Sequence, residues 1–577
     1  MKKRLLATLA IALCAIFMFP LSACNQSDDP DSEKVDPNRT QLYVRNYDGG
    51  YGTDWLYAVK KRFEEAYRDV SYEKDKMGVQ IIVNKDRRKA NALASQILDD
   101  KYEVYFTEEA YYYTLLNENH ALGDITDAVT ADLGAYGDTA GKTILDKLSD
   151  EQLEYYGVDG SDGKKHYYGV PHYAGNMQIA YNVELFEEKG FYFKKGADIS
   201  GPAEECFVAP KSTAASEARS VGPDGREGTY DDGLPATYDE FYLLCDFIKQ
   251  NSCTPLLWSG EVYQYYLTGL MRMLASDFEG LEQMSLNYTL DGEAKTLGTI
   301  QGGQFVRDAQ TTVIGDTNRH EIARQEGKYR ALQFMQTITE QTNGVNKYAH
   351  AKSYNPVFLN KDAQTEYLFA GKDGVTGDIA MLVDGIWWQN EASATFERMV
   401  NAYGDEYSSM HRKFATMPLP KASYGKVNEV KNSDKTMTIY DQMLSLCFMK
   451  ANVADWKKPL AYEFIKFVNS DASLVEFTQI TNTPKALQYT MTEEQKAKMT
   501  PYGRSVMSQR EHADIVYPYS NKTAFINNQA SFGSLFYSKI NSTTNNYAPE
   551  LLKDKRATAE TWFSGMYEYQ KNDRTWR

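Results

Sequence analysis

Aromatic and acidic residues follow two of the short apolar runs near the start of the sequence. Asp48 and Tyr51 come after QLYVRN, and Glu108 and Tyr111 come after EVYFT. Aromatic faces pack against the apolar side of a small ligand, and carboxylates accept hydrogen bonds from its polar groups. We therefore interpret these four residues as candidate ligand contacts.

Motifs of the common enzyme classes are absent from the sequence. The seven histidines never pair with i, i+4 spacing, which excludes an HExxH metal site. GDTAGKT (137–143) lacks the glycine spacing of a phosphate-binding loop, and no GxSxG occurs. A glycoside hydrolase needs two carboxylates about 5–10 Å apart, and no such pair stands out among the 79 acidic residues. Together with the resemblance described below, these absences predict a protein without enzymatic activity, with an extracellular glycoside hydrolase as the alternative.

Three aspartates share one glycine-rich segment. Asp224, Asp231 and Asp232 belong to GPDGREGTYDDG (222–233). Such a loop could hold Ca²⁺ through oxygen ligands, although Arg226 occupies the third position of an EF-hand pattern and no glutamate closes it. A structural calcium site and a solvated acidic turn are both open here, and no cofactor is required.

Four cysteines lie beyond the N-terminal segment: Cys206, Cys245, Cys253 and Cys447. None has CxxC spacing, which argues against a zinc or redox motif. Buried free thiols are favoured over a Cys245–Cys253 disulfide.

The N-terminus has the pattern of a secretion signal. Three basic residues (2–4) precede an apolar stretch (5–19) that is shorter than the roughly 20 residues of a spanning helix. Leu21-Ser22-Ala23-Cys24 resembles a bacterial lipobox, which implies cleavage after residue 23 and a lipid anchor on Cys24. An uncleaved anchor helix is the alternative. Residues 24–39 are expected to be a lipidated, solvated tether, so the mature chain would lie at the extracellular face of the cell membrane.

The net charge of −16 bears on the choice of partner. An acidic surface repels phosphate backbones, which disfavours nucleic acid. The length suggests at least two domains.

The elements that would position these residues alternate between strand and helix. After the first strand, a helix beginning at Thr53 or Asp54 is expected to bury one face, which carries Trp55, Val59, Phe63, Ala66 and Val70. A second strand at 79–84, an Ala-rich helix at 89–99 and a long helix at 455–479 are also expected. This alternation predicts βαβ units, in which ligands collect beyond the carboxyl ends of parallel strands.

The order of several sequence pieces resembles that of the extracellular solute-binding proteins of ABC importers, in particular the carbohydrate-binding group that includes maltose-binding protein. The pieces are the lipobox, the glycine loop after the first strand, YYGVP…AYN, GDIAMLVDGIWW, MPLPK and AYEFIKFVNSDAS. Their order extends over some 500 residues, and 195–236 and 275–325 are interpreted as insertions.

The resemblance implies an α/β, two-lobe periplasmic-binding-protein-like (type II) fold with a hinge between the lobes. YYGVP would be the first crossing and ATMPLP the second. The implied boundaries are 40–170 and 412–485 for lobe 1, and 171–411 and 486–577 for lobe 2.

The resemblance also implies a carbohydrate ligand in the cleft between the lobes, an ABC permease as partner, and a monomer. Another solute is the alternative ligand. If the strand continues, only one of Trp387 and Trp388 can face the cleft, and the sequence does not decide which. The implied ligand-binding residues are Asp48, Tyr51, Glu108, Tyr111, His172, Tyr173, Asn176, Trp258, Tyr263, Trp387 and Trp388.

Overall fold

The computed structural model describes residues 34–211, 218–372, 377–527, 535–545 and 547–573. Cys24, the signal segment 1–23 and most of the tether lie outside these ranges, so their assignments stay predictions. Within the described ranges, no helix combines the length and the apolar character that crossing a membrane requires.

Ten strands build the three sheets that matter for the site. They are β1 (Thr40–Tyr47), β2 (Val79–Asp86), β3 (Val104–Thr107), β4 (Met177–Asn182), β5 (Thr254–Leu257), β6 (Ile379–Gly385), β7 (Phe414–Met417), β8 (Met437–Tyr440), β9 (Leu446–Met449) and β10 (Ala513–Val516).

Helices of seven or more residues cover the faces of these sheets. They are α1 (Asp54–Ala66), α2 (Asp150–Tyr156), α3 (Val183–Lys189), α4 (Tyr238–Gln250), α5 (Tyr263–Thr289), α6 (Glu326–Ile338), α7 (Asn360–Leu368), α8 (Ser393–Tyr403), α9 (Tyr424–Val430), α10 (Lys458–Val468), α11 (Asp471–Thr481), α12 (Pro501–Glu511) and α13 (Ala559–Asn572). Short hairpins at Gly157–Tyr167, Gly292–Ile314, Gln341–Asn346 and Ser538–Asn545 lie between them.

Lobe 1 is built on a four-stranded sheet with the order β9-β3-β1-β2. β1 is parallel to both β2 and β3, and β9 is antiparallel to β3. α1 forms because Trp55, Leu56, Val59 and Phe63 place one buried stripe against this sheet. Since the three parallel strands end at the same edge, the loops after β1 and β3 lie together there.

Lobe 2 is built on a second four-stranded sheet with the order β7-β4-β6-β5. β6 is parallel to β5 and antiparallel to β4, and β7 is antiparallel to β4. The end of β6 at Gly385 therefore lies beside the start of β4 at Met177. A two-stranded parallel sheet, β8 with β10, packs nearby against α5.

Three chain segments run between the lobes: 168–176, 441–445 and 482–500. The first pairs at Val170 with Cys447 of β9, directly after the second segment, and at Tyr173 with Lys485 of the third. Gln442 N also donates to Gly175 O at 2.9 Å. The α/β class, the two lobes and the first crossing, at YYGVP, agree with the expectation from the sequence.

One predicted boundary is wrong. Residues 412–440 do not belong to lobe 1, because β7 pairs with β4 in the sheet of lobe 2 and β8 packs against α5. ATMPLP (415–420), the predicted second crossing, consists of the end of β7 and the prolines that follow it. The second crossing lies at 441–445 instead. The chain enters the lobe 1 sheet only with β9.

The predicted helices differ from the structure at their ends. The helix expected at 455–479 is two helices, α10 and α11, because Ser470 has the extended conformation of an N-cap. Helical structure in the segment 89–99 covers only Ala90–Leu93. α1 ends at Ala66, which leaves Val70 exposed rather than on the buried face.

All four described cysteines are buried free thiols, which confirms the favoured reading and excludes a Cys245–Cys253 bridge. Burial raises the pKa of Cys245 and Cys447 above the ordinary thiol value. These thiols are therefore structural apolar groups rather than reactive ones.

Candidate functional site

A cavity of about 760 Å³ lies between the two lobes. We call it the main cavity. Lobe 1 contributes the loop after β1, the end of β2 and the loop after β3. Lobe 2 contributes the start of α5, the start of α7 and the segment after β6. Its aromatic lining residues are Tyr47, Tyr51, Tyr265, Tyr266 and Trp387, and its acidic ones are Asp48, Asp54, Glu108, Glu109 and Glu391.

A cluster of aromatic rings closes the main cavity at the hinge. The ring of Tyr51 stacks on Tyr173 with centroids 4.0 Å apart, and Trp387 lies 5.8 Å from Tyr51. The hydroxyl of Tyr51 donates to the carbonyl of Ala174 at 2.6 Å, which fixes the ring against the first crossing. This cluster gives the cavity an apolar wall of rigid rings, a surface suited to the C–H face of a sugar.

The lobes touch each other beside this wall. Asn390 Nδ2 donates to the carbonyl of Gly50 at 2.7 Å. A Cβ atom added at Gly50 would lie 2.2 Å from Cδ1 of Trp387, so only glycine fits between the lobe 1 loop and the ring. The structure is therefore closed at this edge.

A second, smaller cavity of about 180 Å³ adjoins the main one and shares Lys89, Glu108, Glu109, Tyr265 and Met443 with it. We call it the side cavity. Its other lining residues come from both lobes and from the second crossing: Tyr111, Tyr155, Arg272, Tyr440, Gln442, Leu444, Pro518, Tyr519 and Phe525.

Glu108 lies where the two cavities meet and is only 8% exposed. Burial raises the pKa of its carboxyl to about 7, while Tyr173 and the Lys89 charge act in the opposite direction. Its neighbour Glu109 is half exposed and forms an ion pair with Lys89. Near neutral pH, Glu108 can therefore both donate and accept hydrogen bonds to ligand hydroxyls.

This raised pKa predicts how stability depends on pH. Because the folded-state pKa lies above the unfolded one, the contribution of Glu108 is fully present below about pH 4.5 and is lost as the pH rises through 7. The free energy of unfolding of wild type should fall between pH 5 and pH 8. In Glu108→Gln this fall should be smaller by roughly 2–3 kcal/mol. Urea unfolding of the ligand-free protein at both pH values measures this.

Glu109→Gln is the matched control for this measurement, because the Glu109 side chain is exposed and paired with Lys89. It should follow the wild-type pH profile. Equal profiles for wild type and Glu108→Gln would contradict the assignment.

Five of the eleven predicted ligand contacts line the two cavities. Asp48, Tyr51, Glu108 and Trp387 line the main cavity, and Tyr111 lines the side cavity. Of the two adjacent tryptophans, Trp387 is the one that faces the cleft. The ligand-binding role of all five stays a prediction.

Three further predicted contacts lie in the hinge instead. Asn176 is buried, and its Nδ2 donates to the carbonyl of Met177 at 3.1 Å. Tyr173 lies behind Tyr51. His172 is fully buried, packs against Trp55 and Phe106, and has its Nδ1 2.7 Å from Nζ of Lys485.

Burial, together with the neighbouring Lys485, lowers the pKa of His172 well below its usual value. Burial also lowers the pKa of Lys485, to about 7. His172 is therefore a neutral acceptor for the Lys485 ammonium in a hinge core that a ligand does not reach here.

The remaining three predicted contacts pack inside lobe 2. Trp258 is fully buried against Tyr354, which Tyr263 also contacts at 5.0 Å. Trp388 is fully buried in the core because the chain turns into a short helix directly after β6, which points this side chain away from the cleft. The structure does not bring these three residues to either cavity.

Sequence reasoning missed several residues that line the cavities. They are Tyr47, Tyr265, Tyr266, Arg272, Tyr440 and Asn390. A signal existed for two of them: Tyr265 and Arg272 are seven residues apart and fall on one face of α5. That helix extends into the region 275–325, which was interpreted as an insertion.

The carboxylates of the aspartate loop bind groups of the loop itself. Asp224 accepts from the backbone of Arg226 at 2.7 Å, Asp231 from that of Asp224 at 3.0 Å, and Asp232 from that of Gly228 at 2.8 Å. Within the described part of the chain, no three His, Cys, Asp or Glu side chains group as a metal site. Calcium binding at this loop stays a prediction, which a fall in the melting temperature on adding chelator would support.

Solved structures with a similar course of the chain include several binding proteins. A chitin oligosaccharide binding protein is 15% identical over 92% of this chain and 98% of its own, with a TM-score of 0.49. The cyclic alpha-maltosyl-1,6-maltose binding protein from Arthrobacter globiformis is 12% identical over 92% and 98%, with a TM-score of 0.49. Apo RafE from Streptococcus pneumoniae is 12% identical over 93% and 99%, with a TM-score of 0.48.

No family model matches the sequence, and no curated protein matches it either. The two four-stranded sheets and the three crossings between them define the fold.

Proposed function

We propose that this chain is the substrate-binding receptor of an ABC importer and that it captures an oligosaccharide between its lobes. The observation that carries the proposal is the main cavity, about 760 Å³ in volume and lined from both lobes by aromatic rings and carboxylates. Cavities of about 300–1,000 Å³ suit ligands larger than a single sugar ring.

Capture would work by closure of the lobes. A ligand that contacts both walls stabilises the closed arrangement over the open one, because its contacts are complete only there. The three paired crossings and the contact between Gly50 and Asn390 support this reading. The closed receptor would then deliver the sugar to the transmembrane permease.

We propose that Cys24 carries the lipid that holds the receptor at the extracellular face of the membrane. Two or more acyl chains bind a bilayer firmly, since each buried CH₂ contributes about 0.8 kcal/mol. In this proposal the receptor acts as a monomer. Cys24→Ser should abolish the incorporation of a labelled fatty acid into the protein, and unchanged incorporation would contradict the anchor.

Binding without turnover is part of the proposal. Isothermal titration against neutral and acidic mono- and oligosaccharides, followed by chromatography of the recovered ligand, tests both halves. Saturable binding with intact ligand is the expected result. Release of reducing ends would instead favour a glycoside hydrolase. Absence of binding to every saccharide tested would overturn carbohydrate as the ligand.

A matched pair of variants ties the binding to the cleft. Trp387→Ala should weaken the affinity about tenfold or more, because its ring is part of the cavity wall. Trp456 is 51% exposed on lobe 1 and lines neither cavity, so Trp456→Ala should bind as wild type does. Equal losses in both variants would place the site elsewhere.

A further inference from the structure

Arg272 lies in the wall of the side cavity, where the described residues offer it no carboxylate. It lies on α5, two turns after Tyr265, and its guanidinium carbon is 6.0 Å from the ring centroid of Tyr440. Among the residues that the structure describes, it forms neither an ion pair nor a hydrogen bond, and its Nε is buried without an acceptor. The Nε of this guanidinium has lost water without gaining a replacement.

The local packing holds this guanidinium in place. α5 approaches the crossing segments closely at Gly269, where an added Cβ would lie 2.4 Å from Cγ of Met177 and 2.7 Å from Oε1 of Gln442. Gln442 in turn donates through Nε2 to the hydroxyl of Tyr265 at 3.2 Å. The helix face that carries Arg272 is therefore fixed against the hinge.

The acidic residues of the same cavity do not neutralise Arg272. Glu109 is committed to its ion pair with Lys89. Glu108 has a pKa raised to about 7 by burial, so a large share of its carboxyls is uncharged at neutral pH. Across both cavities, five acidic and five basic side chains face the ligand space, although the whole chain carries −16. The cleft is thus far less negative than the rest of the molecule.

From this geometry we propose that the side cavity is a subsite for the carboxylate of an acidic sugar, with Arg272 as its binding partner. The planar guanidinium offers parallel N–H donors that match the two oxygens of a carboxylate, a fit that an ammonium cannot reproduce. The surrounding tyrosines supply the faces on which the sugar ring packs. The inference rests on the proposed function and narrows its substrate class to uronate-bearing oligosaccharides.

Pairs of ligands that differ only in charge test the inference. Isothermal titration of the protein would use oligogalacturonides against their methyl esters, and glucuronate-bearing xylo-oligosaccharides against their carboxyl-reduced forms. We expect the acidic member of at least one pair to bind about tenfold more tightly or better. The inference is overturned if the neutral member binds as well in every pair.

Two variants assign the preference to the guanidinium. Arg272→Gln should abolish the preference, so that the acidic and the neutral member of each pair bind with the same affinity. Arg272→Lys should keep only part of the preference, because lysine retains the positive charge but lacks the planar pair of parallel N–H donors. Arg68 is an exposed cation that lines neither cavity, so Arg68→Gln should keep the full preference. Retention of the preference in Arg272→Gln would contradict the assignment.

Two measurements, the melting temperature and the binding of neutral sugars, distinguish failure of the acidic subsite from failure of the proposed receptor function. Arg272→Gln without ligand should melt at or above the wild-type temperature, because it removes an unpartnered charge. A large fall would mean that Arg272 is structural and would overturn its role as a subsite. Binding of neutral sugars alone would overturn the acidic subsite but keep the receptor function, whereas absence of all saccharide binding would overturn both.

Discussion

Trp388→Ala is expected to lower the free energy of unfolding by about 3–5 kcal/mol. The indole is fully buried in lobe 2 and lies between Tyr367, Phe414 and Tyr502, with ring centroids 5.3–5.8 Å away. Truncation leaves a cavity that these rings cannot fill, because Phe414 is held in β7 and Tyr502 in α12. Urea unfolding followed by circular dichroism measures the loss.

The neighbouring tryptophan provides the control. Trp387 borders the open cavity. Compared with Trp388→Ala, Trp387→Ala should therefore lower the free energy of unfolding less and weaken ligand binding more. The opposite ranking, or equal costs in both measurements, would mean that the two side chains are exchanged between core and cleft.

Gly50→Ala is expected to prevent complete closure of the lobes and to weaken the affinity for a bound oligosaccharide about tenfold or more. The added methyl would overlap the Trp387 ring and would also displace the carbonyl that accepts from Asn390. The φ angle of Gly50 is not in the left-handed region, so alanine does not strain the backbone at this position.

Small-angle scattering with and without the ligand measures this effect. Wild type should become more compact on binding, and Gly50→Ala should show a smaller change at saturation. Gly315→Ala is the control, because nothing lies within 4 Å of the added Cβ and its backbone is not left-handed. Full compaction in Gly50→Ala would show that closure tolerates the methyl group.

The sequence was most informative where local pattern and global topology agree. The loops after β1 and β3 could be placed at one edge because parallel strands end together, and Asp48, Tyr51 and Glu108 lie there. The buried stripe of α1 could also be predicted, because the buried face of an amphipathic helix follows from the spacing of the apolar residues within that helix.

Residues whose roles depend on distant pairing could not be read. β7 has no local feature that tells a lobe 2 strand from a crossing, because the choice depends on its partner β4, some 230 residues earlier. His172 has the polar character of a ligand contact, and only Lys485 on the third crossing makes it a core residue. Arg272 likewise becomes notable only when the described part of the folded chain is found to offer it no carboxylate.

The buried thiols have a practical consequence for optical measurements of closure. The four described cysteines are buried and burial raises the pKa of each thiol, so maleimide dyes should react with them slowly in the native state. Provided that Cys14 and Cys24 are removed or acylated, one cysteine introduced on the surface of each lobe would be labelled selectively. The protein would then report its own occupancy by fluorescence energy transfer, which makes it a scaffold for a reagentless sensor of its ligand.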